Sequence, residues 1–185
     1  MIVTIIRLYD DHTQAANVVA DLCQAGVPEQ DISMIIRDDR ASGAAKGAGI
    51  GALVGGLAGL AAGLGLLVIP GVGPALATGW LTSTLAGAAL GAWAGGALGV
   101  LSQAGVSGQE AQEIAECLRR GATMVAARVP EAEKDRYETI LNRGCIDLRV
   151  RVAAYRRAGW TAHDPSAAPY TPEEIKRERE LHGGR

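Results

Sequence analysis

Residues 47–65 read GAGIGALVGGLAGLAAGLG, and this uncharged, glycine-rich stretch decides what kind of fold the chain can adopt. It could be a phosphate-binding loop, a flexible linker or a segment buried away from water. Gly47, Gly49 and Ala52 match the G-x-G-x-x-G/A spacing of dinucleotide sites, which also need a strand directly before them and an acidic residue about twenty positions later. The next acidic residue is Glu110. Nucleotide binding is therefore not predicted.

The spacing of the small residues favours packed helices over a linker. Flexible linkers are rich in Gly and Ser, whereas this stretch combines Gly with Leu, Val, Ile and Ala. Positions four apart lie on one face of a helix, and exposed glycine destabilises a helix by about 1 kcal/mol per residue. Such helices are expected where water is excluded. Small residues recur at this spacing at Gly47, Gly51, Gly55, Gly59 and Gly63, and again at Gly79, Ser83, Gly87, Gly91, Gly95 and Gly99.

We therefore predict a glycine-zipper helical hairpin over residues 47–106, with a Pro-Gly turn at 70–74. No Asp, Glu, Lys, Arg or His lies between Lys46 and Glu110. The two predicted helices, 47–69 and 75–101, contain 23 and 27 residues, and about 20 suffice to cross a bilayer core. Basic residues near both ends of the insert predict that both termini lie on the cytoplasmic side of a membrane. The many small residues predict a homo-oligomer, in the lipid bilayer or in the dry centre of a soluble assembly.

The polar flanks, 1–46 and 107–155, are predicted to form one split α+β domain. Each flank has strand and helix patterns separated by a Gly stop, and two β-α-β units pack readily as a ferredoxin-like sandwich with its helices on one face. The expected fold class is a ferredoxin-like βαβ-(insert)-αβαβ sandwich with an inserted transmembrane-type hairpin and a C-terminal extended arm plus helix. The predicted strands are 2–9, 31–37, 122–129 and 145–153; the helices start at Asp11, at the Ser107/Glu110 capping box and at Pro130.

Alternation along the predicted strands indicates a basic sheet face. If the apolar positions of the first strand face the helices, then Arg7 points to the open face, and Arg37, Arg128, Arg149 and Arg151 join it from the other strands. Such a face can bind an anion or an acidic partner, although ordinary solvated arginines are the alternative. RNA binding would need stacked aromatic residues there, and a net charge of −2 provides no basic field for nucleic acid. No nucleic-acid partner is predicted.

Residues 156–185 are predicted to form an extended arm followed by a charged helix. Thr171 and Glu174 make a capping box with proline at the first helical position. The charged helix is either a solvated face or part of a docking arm to a neighbouring subunit. Trp160 and Tyr170 would anchor that arm.

Residues that could carry catalysis do not cluster in the sequence. The three cysteines, Cys23, Cys117 and Cys145, are far apart and are expected to be reduced thiols. The three histidines are not at metal-ligand spacing from each other or from Cys and acidic residues. We expect no enzyme activity, metal or cofactor, and the N-terminus shows no signal-peptide pattern.

Three segments together resemble the bacterial general stress protein 17M-like family. They are the GVPEQDISMIIRD opening, the IPGVGPALATGWL turn and the GW…DP…PYTPEEI arm. The resemblance implies a stress-associated bacterial protein and brings no catalytic residues. The leading hypothesis is a non-enzymatic, oligomeric, membrane-associated stress-response protein. The alternatives are a soluble self-assembling scaffold that buries its hairpins in an oligomeric core, and an oligomeric pore or channel.

Overall fold

The protein has a mixed α+β fold, seen in a computed structural model that describes residues 1–37, 65–69, 73–77, 79–80, 101–102, 105–164, 166–168 and 170–182. The strands are β1 (Ile2–Tyr9), β2 (Ile32–Arg37), β3 (Gly65–Ile69), β4 (Gly73–Ala77) and β5 (Thr123–Pro130). The helices are α1 (His12–Gln24), α2 (Gly108–Arg119), α3 (Lys134–Leu141), α4 (Leu148–Arg157) and α5 (Pro172–His182). Short 3-10 turns cover Glu29–Asp31 and Glu131–Glu133.

The strands form one sheet in the order β1-β5-β2-β4-β3, and every neighbouring pair is antiparallel. β5 lies between β1 and β2, although both of those strands precede it in the chain by many residues. Helix α1 connects β1 to β2 across that central strand. The result is a three-stranded core, β1-β5-β2, extended at the β2 side by the β3–β4 hairpin.

Helices cover both faces of the core strands, which differs from the expected single covered face. On the first face, α1 and α3 pack against alternate residues of β1 and β5, such as Ile5 and Val125. On the second face, α2 and α4 pack against the other alternate residues, such as Leu8 and Met124. The predicted open sheet face is therefore wrong for the core strands.

Local signals in the sequence place most of the helix ends where they were expected. Asp11 caps α1 by accepting a hydrogen bond from the Thr13 amide at 2.9 Å. Ser107 caps α2 by accepting from the Glu110 amide at 3.3 Å. Gly26 follows α1 with φ of 103°, a conformation that glycine adopts without strain. Pro130 is the last residue of β5, and a 3-10 turn intervenes before α3.

The predicted strand at 145–153 is wrong, because this segment contains the start of helix α4. The alternating LRVRV pattern fits a strand, but the Asp147 carboxylate accepts hydrogen bonds from the amides of Arg149 and Val150 at 3.0 and 3.2 Å. This cap starts a helix whose buried residues include Val152 and Tyr155, three positions apart. The predicted fourth strand of the sheet is therefore a helix on the second face.

The described part of the insert also differs from the predicted helical hairpin. Residues 65–69 and 73–77 are strands rather than ends of helices, and β4 pairs with β2 from Ile35↔Ala77 to Arg37↔Ala75. Gly73 and Pro74 of the predicted turn belong to β4, so residues 70–72 connect the two strands. The β-branched residues Val68 and Ile69 favour a strand at β3, which pairs with β4, and β4 in turn pairs with the edge of β2.

Only one small-residue position of the predicted glycine zipper lies in the described part of the chain. Gly79 is in a bend with φ of 76°, so its assignment to a helix-packing face is wrong. A Cβ there would lie 2.0 Å from the carbonyl oxygen of Ile32, so only glycine fits this approach to β2. The other positions lie outside the described residues: Gly47, Gly51, Gly55, Gly59, Gly63, Ser83, Gly87, Gly91, Gly95 and Gly99. Among the helices that are described, none combines the length and apolarity needed to cross a bilayer.

Candidate functional site

The most extensively bonded buried carboxylate of the described chain is Glu116, in the last two turns of α2, with only 1% of its side chain exposed. One carboxylate oxygen accepts hydrogen bonds from Arg119 at 2.6 Å and Arg120 at 2.7 Å. The other accepts from Arg119 at 2.9 Å and lies 3.4 Å from Nδ1 of His163. Burial alone would raise the pKa of Glu116, but the bonds from His163 and the two arginines outweigh it and lower the pKa to about 2.

The two arginines that bind Glu116 also hold the C-terminal arm, residues 158–171. The Arg119 guanidinium donates to the carbonyl of Ala168 at 3.1 Å. The same group lies 4.7 Å from the centre of the Tyr170 ring, and that of Arg120 lies 5.3 Å from it. These are cation–π distances. The arm is therefore fastened to the C-terminal end of α2 by charge-assisted and aromatic contacts.

Helix α5, which follows the arm, docks on the same end of α2. Its Ile175 is 1% exposed and lies over Gly121, where a Cβ would come within 2.5 Å of the Ile175 side chain. The Glu178 carboxylate lies 3.8 Å from Arg120, and Arg179 donates to the carbonyl of Gly121 at 3.3 Å. α5 therefore has one buried side and is more than a solvated charged helix. Its Thr171–Glu174 capping box is confirmed by reciprocal hydrogen bonds of 2.7 and 3.3 Å.

A second buried ion pair connects α4 to the end of β1. Arg151 is 7% exposed and binds both carboxylate oxygens of Asp10, at 2.9 and 2.6 Å. A guanidinium nitrogen of Arg151 also donates to the carbonyl of His182, the last described residue of α5. The Tyr155 ring lies between the two ion-pair clusters, 3.9 Å below Arg120 and 6.0 Å from the His182 ring. The two ion-pair clusters are thus linked through the Tyr155 ring and helix α5.

The predicted docking residues Trp160 and Tyr170 both lie at this contact, and they contact their own chain. Trp160 packs against the second-face core, with its ring 6.4 Å from that of Tyr155. Tyr170 lies beside Arg119 and Arg120. Docking to a neighbouring subunit remains a prediction.

The five arginines predicted to share one sheet face do not share it. Arg7 pairs across from Val125 on the first face, where it binds Glu138 and donates to Asn142 at 2.7 Å. Arg128 pairs across from Thr4, which puts it on the second face. The antiparallel register matches odd positions with odd ones, so residues 7 and 128 point to opposite sides. Arg149 is exposed on α4, Arg151 is buried on the same helix, and the side chain of Arg37 lies outside the described residues.

Arg128 instead anchors the insert to the sheet. Its guanidinium donates to Asp31 at 3.0 and 2.7 Å and lies 4.9 Å from the Trp80 ring. Trp80 packs against the second-face core, directly after the close approach of Gly79 to β2. Leu101, at the other end of a twenty-residue interval, is 2% exposed and belongs to the same core cluster.

An open cleft of about 1250 Å³ separates the start of α1 from α4. Its lining includes Asp11, Gln14, Cys145 and Arg157, with the Asp10–Arg151 pair at its floor. Burial raises the pKa of Cys145, and it raises that of Cys117 to about 12, so neither thiol is activated as a nucleophile. Within the described ranges, His, Cys, Asp and Glu side chains do not gather in threes that could hold a metal ion.

Sequence reasoning did not identify the Glu116 cluster or the Asp10–Arg151 pair. The sequence around Glu116 does contain a signal for a buried ion pair. Glu116 interrupts the apolar run at 114–118, and arginines follow it three and four positions later. A charged residue inside such a run indicates a buried, paired group. The partner His163 is 47 positions away, and that contact could be found only from the fold.

No protein-family model matches this chain, and searches of curated proteins and of solved structures found nothing significantly similar.

Proposed function

We propose that this chain is a non-enzymatic, oligomeric, membrane-associated protein of the bacterial stress response. Its polar α+β domain holds an uncharged insert at the cytoplasmic face of the inner membrane. The observation that carries the proposal is the absence of any ionisable residue between Lys46 and Glu110, beside flanks that contain 18 basic and 20 acidic residues. An uncharged stretch of this length is expected to leave water. The stress association is supported by the family resemblance of the sequence.

The described anchors favour an insert that enters and leaves the bilayer on one side. The stretch 38–64 starts at the end of β2 and returns at β3, in the same sheet. The stretch 81–100 starts after Trp80 and returns at Leu101, and both of these residues pack against one core cluster. A straight helix of twenty residues is about 30 Å long. If residues 81–100 crossed the bilayer once as such a helix, Leu101 would lie about 30 Å from Trp80 and could not pack against the same core cluster. The described residues at the two ends of each stretch are therefore proposed to lie on one side of the bilayer.

This topology replaces the predicted hairpin with its turn on the far side. The turn at 70–74 connects β3 to β4, and β4 is hydrogen-bonded to β2 of the polar domain. The turn and the domain then share one compartment. The three-stranded core retains the split β-α-β arrangement, which we interpret as a divergent ferredoxin-like domain.

Membrane fractionation of the full chain tests the association. We expect the wild-type protein to sediment with membranes through a high-salt wash and to be released by detergent. Leu90→Arg places a charge inside the uncharged stretch, which costs about 2.5–3.5 kcal/mol in a bilayer, and is expected to shift the protein to the soluble fraction by about 100-fold. Leu181→Arg adds the same charge at a 68% exposed position of α5 and is expected to change nothing. Wild-type protein that stays soluble would refute the association.

Cysteine labelling in membrane vesicles tests the topology separately. Val72→Cys, in the turn, is compared with Leu181→Cys on the polar domain, using a reagent that does not cross membranes. Labelling of both from the cytoplasmic side is expected. Labelling from opposite sides would mean that the hairpin crosses the bilayer and that β4 is not paired with β2 there.

A soluble scaffold is the second candidate, and one observation favours it. Residues 65–69 and 73–77 pair with the sheet of the polar domain, so part of the uncharged insert already packs within the protein. Wild-type protein that remains soluble and elutes as a large, uniform assembly without detergent would support this candidate.

A further inference from the structure

Strand β1 lies at an outer edge of the sheet, and its pairing with β5 shows which of its backbone groups point outward. The amide of Glu131 donates to the carbonyl of Met1 at 3.0 Å, so the odd-numbered residues of β1 form the hydrogen-bonded pairs of this ladder. The N–H and C=O groups of the even-numbered residues therefore point away from β5. The 2.7 Å bond from the Ile146 amide to the Leu8 carbonyl agrees with this, because it reaches β1 from the outer side.

The outer edge of β1 is occupied at its end and open at its start. The outward carbonyl of Leu8 is already bonded, and that of Ile6 accepts from the Arg7 guanidinium at 2.8 Å. The N–H groups of Ile2, Thr4 and Ile6 and the C=O groups of Ile2 and Thr4 have no hydrogen-bond partner within the described part of the chain. Ile2 is 73% exposed, and Thr4 and Ile6 are half-buried. Because backbone groups normally have partners, this edge is suited to receive an added strand.

The open part of β1 has the composition of a strand that pairs with another strand. Residues 2–6 read IVTII, and all five are β-branched, the type of residue that packs well across paired strands. Charges and proline, which normally protect a sheet edge, do not occur among them. The charged residue of β1, Arg7, lies outside this segment and is paired with Glu138. Two such segments can therefore pair without bringing like charges together.

We propose that residues 2–6 of β1 pair antiparallel with the same residues of a second copy, so that the two sheets become continuous. The outward groups belong to residues 2, 4 and 6, and the open segment is therefore symmetric about Thr4. A two-fold axis at Thr4 places Thr4 opposite its own copy and Ile2 opposite Ile6, which gives every outward group of the segment a partner. Thr–Thr and β-branched pairs are among those that stabilise sheets. The contact is isologous, because the same segment serves both copies.

The bond between Ile146 and Leu8 limits where the added strand can lie. With the axis at Thr4, the β1 strand of the second copy begins at Ile2, opposite Ile6, and stops short of the occupied position at Leu8. A register shifted towards Leu8 would run into the segment at Ile146. A register shifted the other way would leave the Ile6 amide without a partner. The geometry thus favours one register, and in that register Ile2 becomes covered.

The expected dimer is weak and reversible. A pair of five-residue segments is smaller than the interfaces of stable complexes, which bury at least about 1,200 Å². Dissociation on dilution is therefore expected. The contact supplies one interface for the proposed oligomer, and it does not rest on the membrane association, since β1 belongs to the polar domain.

Disulfide cross-linking of the full-length protein tests the register. Opposite residues of a hydrogen-bonded pair have Cα atoms about 5.5 Å apart, within the range that a disulfide spans. Thr4→Cys is therefore expected to form a covalent dimer above the wild-type level, which measures the background from the native cysteines. Ile2→Cys is more exposed but would lie about 13 Å from its own copy along the strand, and it is expected to stay at background. Thr4→Cys at the wild-type level, or equal cross-linking of both variants, overturns the proposal.

A proline substitution gives a second readout of the same contact. The double variant Ile2→Cys/Ile6→Cys places cysteines opposite each other across the axis and is expected to cross-link. Adding Thr4→Pro removes an amide that points outward, so the ladder with β5 keeps its bonds while two bonds across the axis are lost. The yield of covalent dimer should then fall about tenfold, whereas adding Thr4→Val, which keeps the amide, should leave it unchanged. Equal yields with Pro and Val overturn the proposal.

Two measurements keep these results distinct from other effects. Thermal unfolding followed by circular dichroism shows whether the Thr4→Pro variant is folded, and if it is not, Thr4→Cys against Ile2→Cys decides alone. Cross-linking is measured in the membrane and soluble fractions alike. Failure of the β1 contact is therefore distinguishable from failure of the membrane association.

Discussion

Replacing Glu116 by Gln is expected to loosen the whole C-terminal segment, because this carboxylate is the common partner of the groups that hold it. The side chain is 1% exposed, and its pKa is lowered from the ordinary 4.5 to about 2. At about 1.4 kcal/mol per pKa unit, that shift corresponds to a stabilisation of up to about 3 kcal/mol above pH 5. The substitution also leaves Arg119 and Arg120 without their carboxylate. Breaking a buried ion pair typically costs about 3–5 kcal/mol.

We therefore expect Glu116→Gln to lower the free energy of unfolding by about 3 kcal/mol, a large part of the 5–15 kcal/mol of a typical domain. Urea titration followed by tryptophan fluorescence measures this, since Trp160 lies in the arm beside Tyr155. With a slope of about 2 kcal/mol per molar urea, the midpoint should fall by roughly 1.5 M.

The matched control is Glu113→Gln, one turn earlier on α2. Its partner Arg156 is 51% exposed, and such surface pairs contribute about 1 kcal/mol or less. If Glu116→Gln lowers the stability no more than Glu113→Gln does, the buried network does not hold the segment and the reasoning is refuted.

Three further predictions concern the same folded domain. The folded-state pKa of Glu116 is depressed to about 2, so the stability that its carboxylate contributes is present above pH 4.5 and should be lost as the pH falls towards 2. The Glu116→Gln variant lacks this titrating group. Its stability, followed by circular dichroism during acid unfolding, should therefore fall less steeply than that of wild type between pH 4.5 and 2. Gly79→Ala should lower the melting temperature more than Gly26→Ala. Both glycines have positive φ, but only at position 79 would an added Cβ meet backbone, the carbonyl oxygen of Ile32 at 2.0 Å. Equal decreases in melting temperature would contradict this. Arg151→Met should cost about 1–3 kcal/mol, because the partly exposed Asp10 loses its hydrogen-bonding partner. The double variant with Asp10→Asn should recover most of that loss in urea titrations, and no recovery would mean that packing dominates.

Local signals were sufficient to predict β1, α1 and β2 and the start of α2. The Asp11 and Ser107 caps and the glycine after α1 each act within a few residues, so their structural effect can be inferred from neighbouring letters. The strand at 145–153 failed because alternating Leu-Arg-Val-Arg-Val fits both a strand and a short helix. The Asp147 cap then decided for the helix.

Features that depend on distant partners could not be predicted from the sequence. Strand β4 forms beside β2 and β3 forms beside β4, and an apolar run rich in glycine does not itself specify a sheet partner. The arginine face failed for a similar reason, since the register between β1 and β5 decides which side Arg128 takes. The Glu116 cluster combines two neighbours on one helix with His163 from the arm, and only the first part was visible in the spacing.

The central position of β5 has a consequence for biosynthesis. β1 and β2 do not pair with each other and need β5 between them, yet β5 begins 86 residues after the end of β2. At translation rates of about 5–20 residues per second, the ribosome needs roughly 4–17 s to synthesise these 86 residues, which include the uncharged stretch, before it reaches the middle strand. The uncharged stretch of a nascent chain is thus complete before the sheet of the polar domain can close.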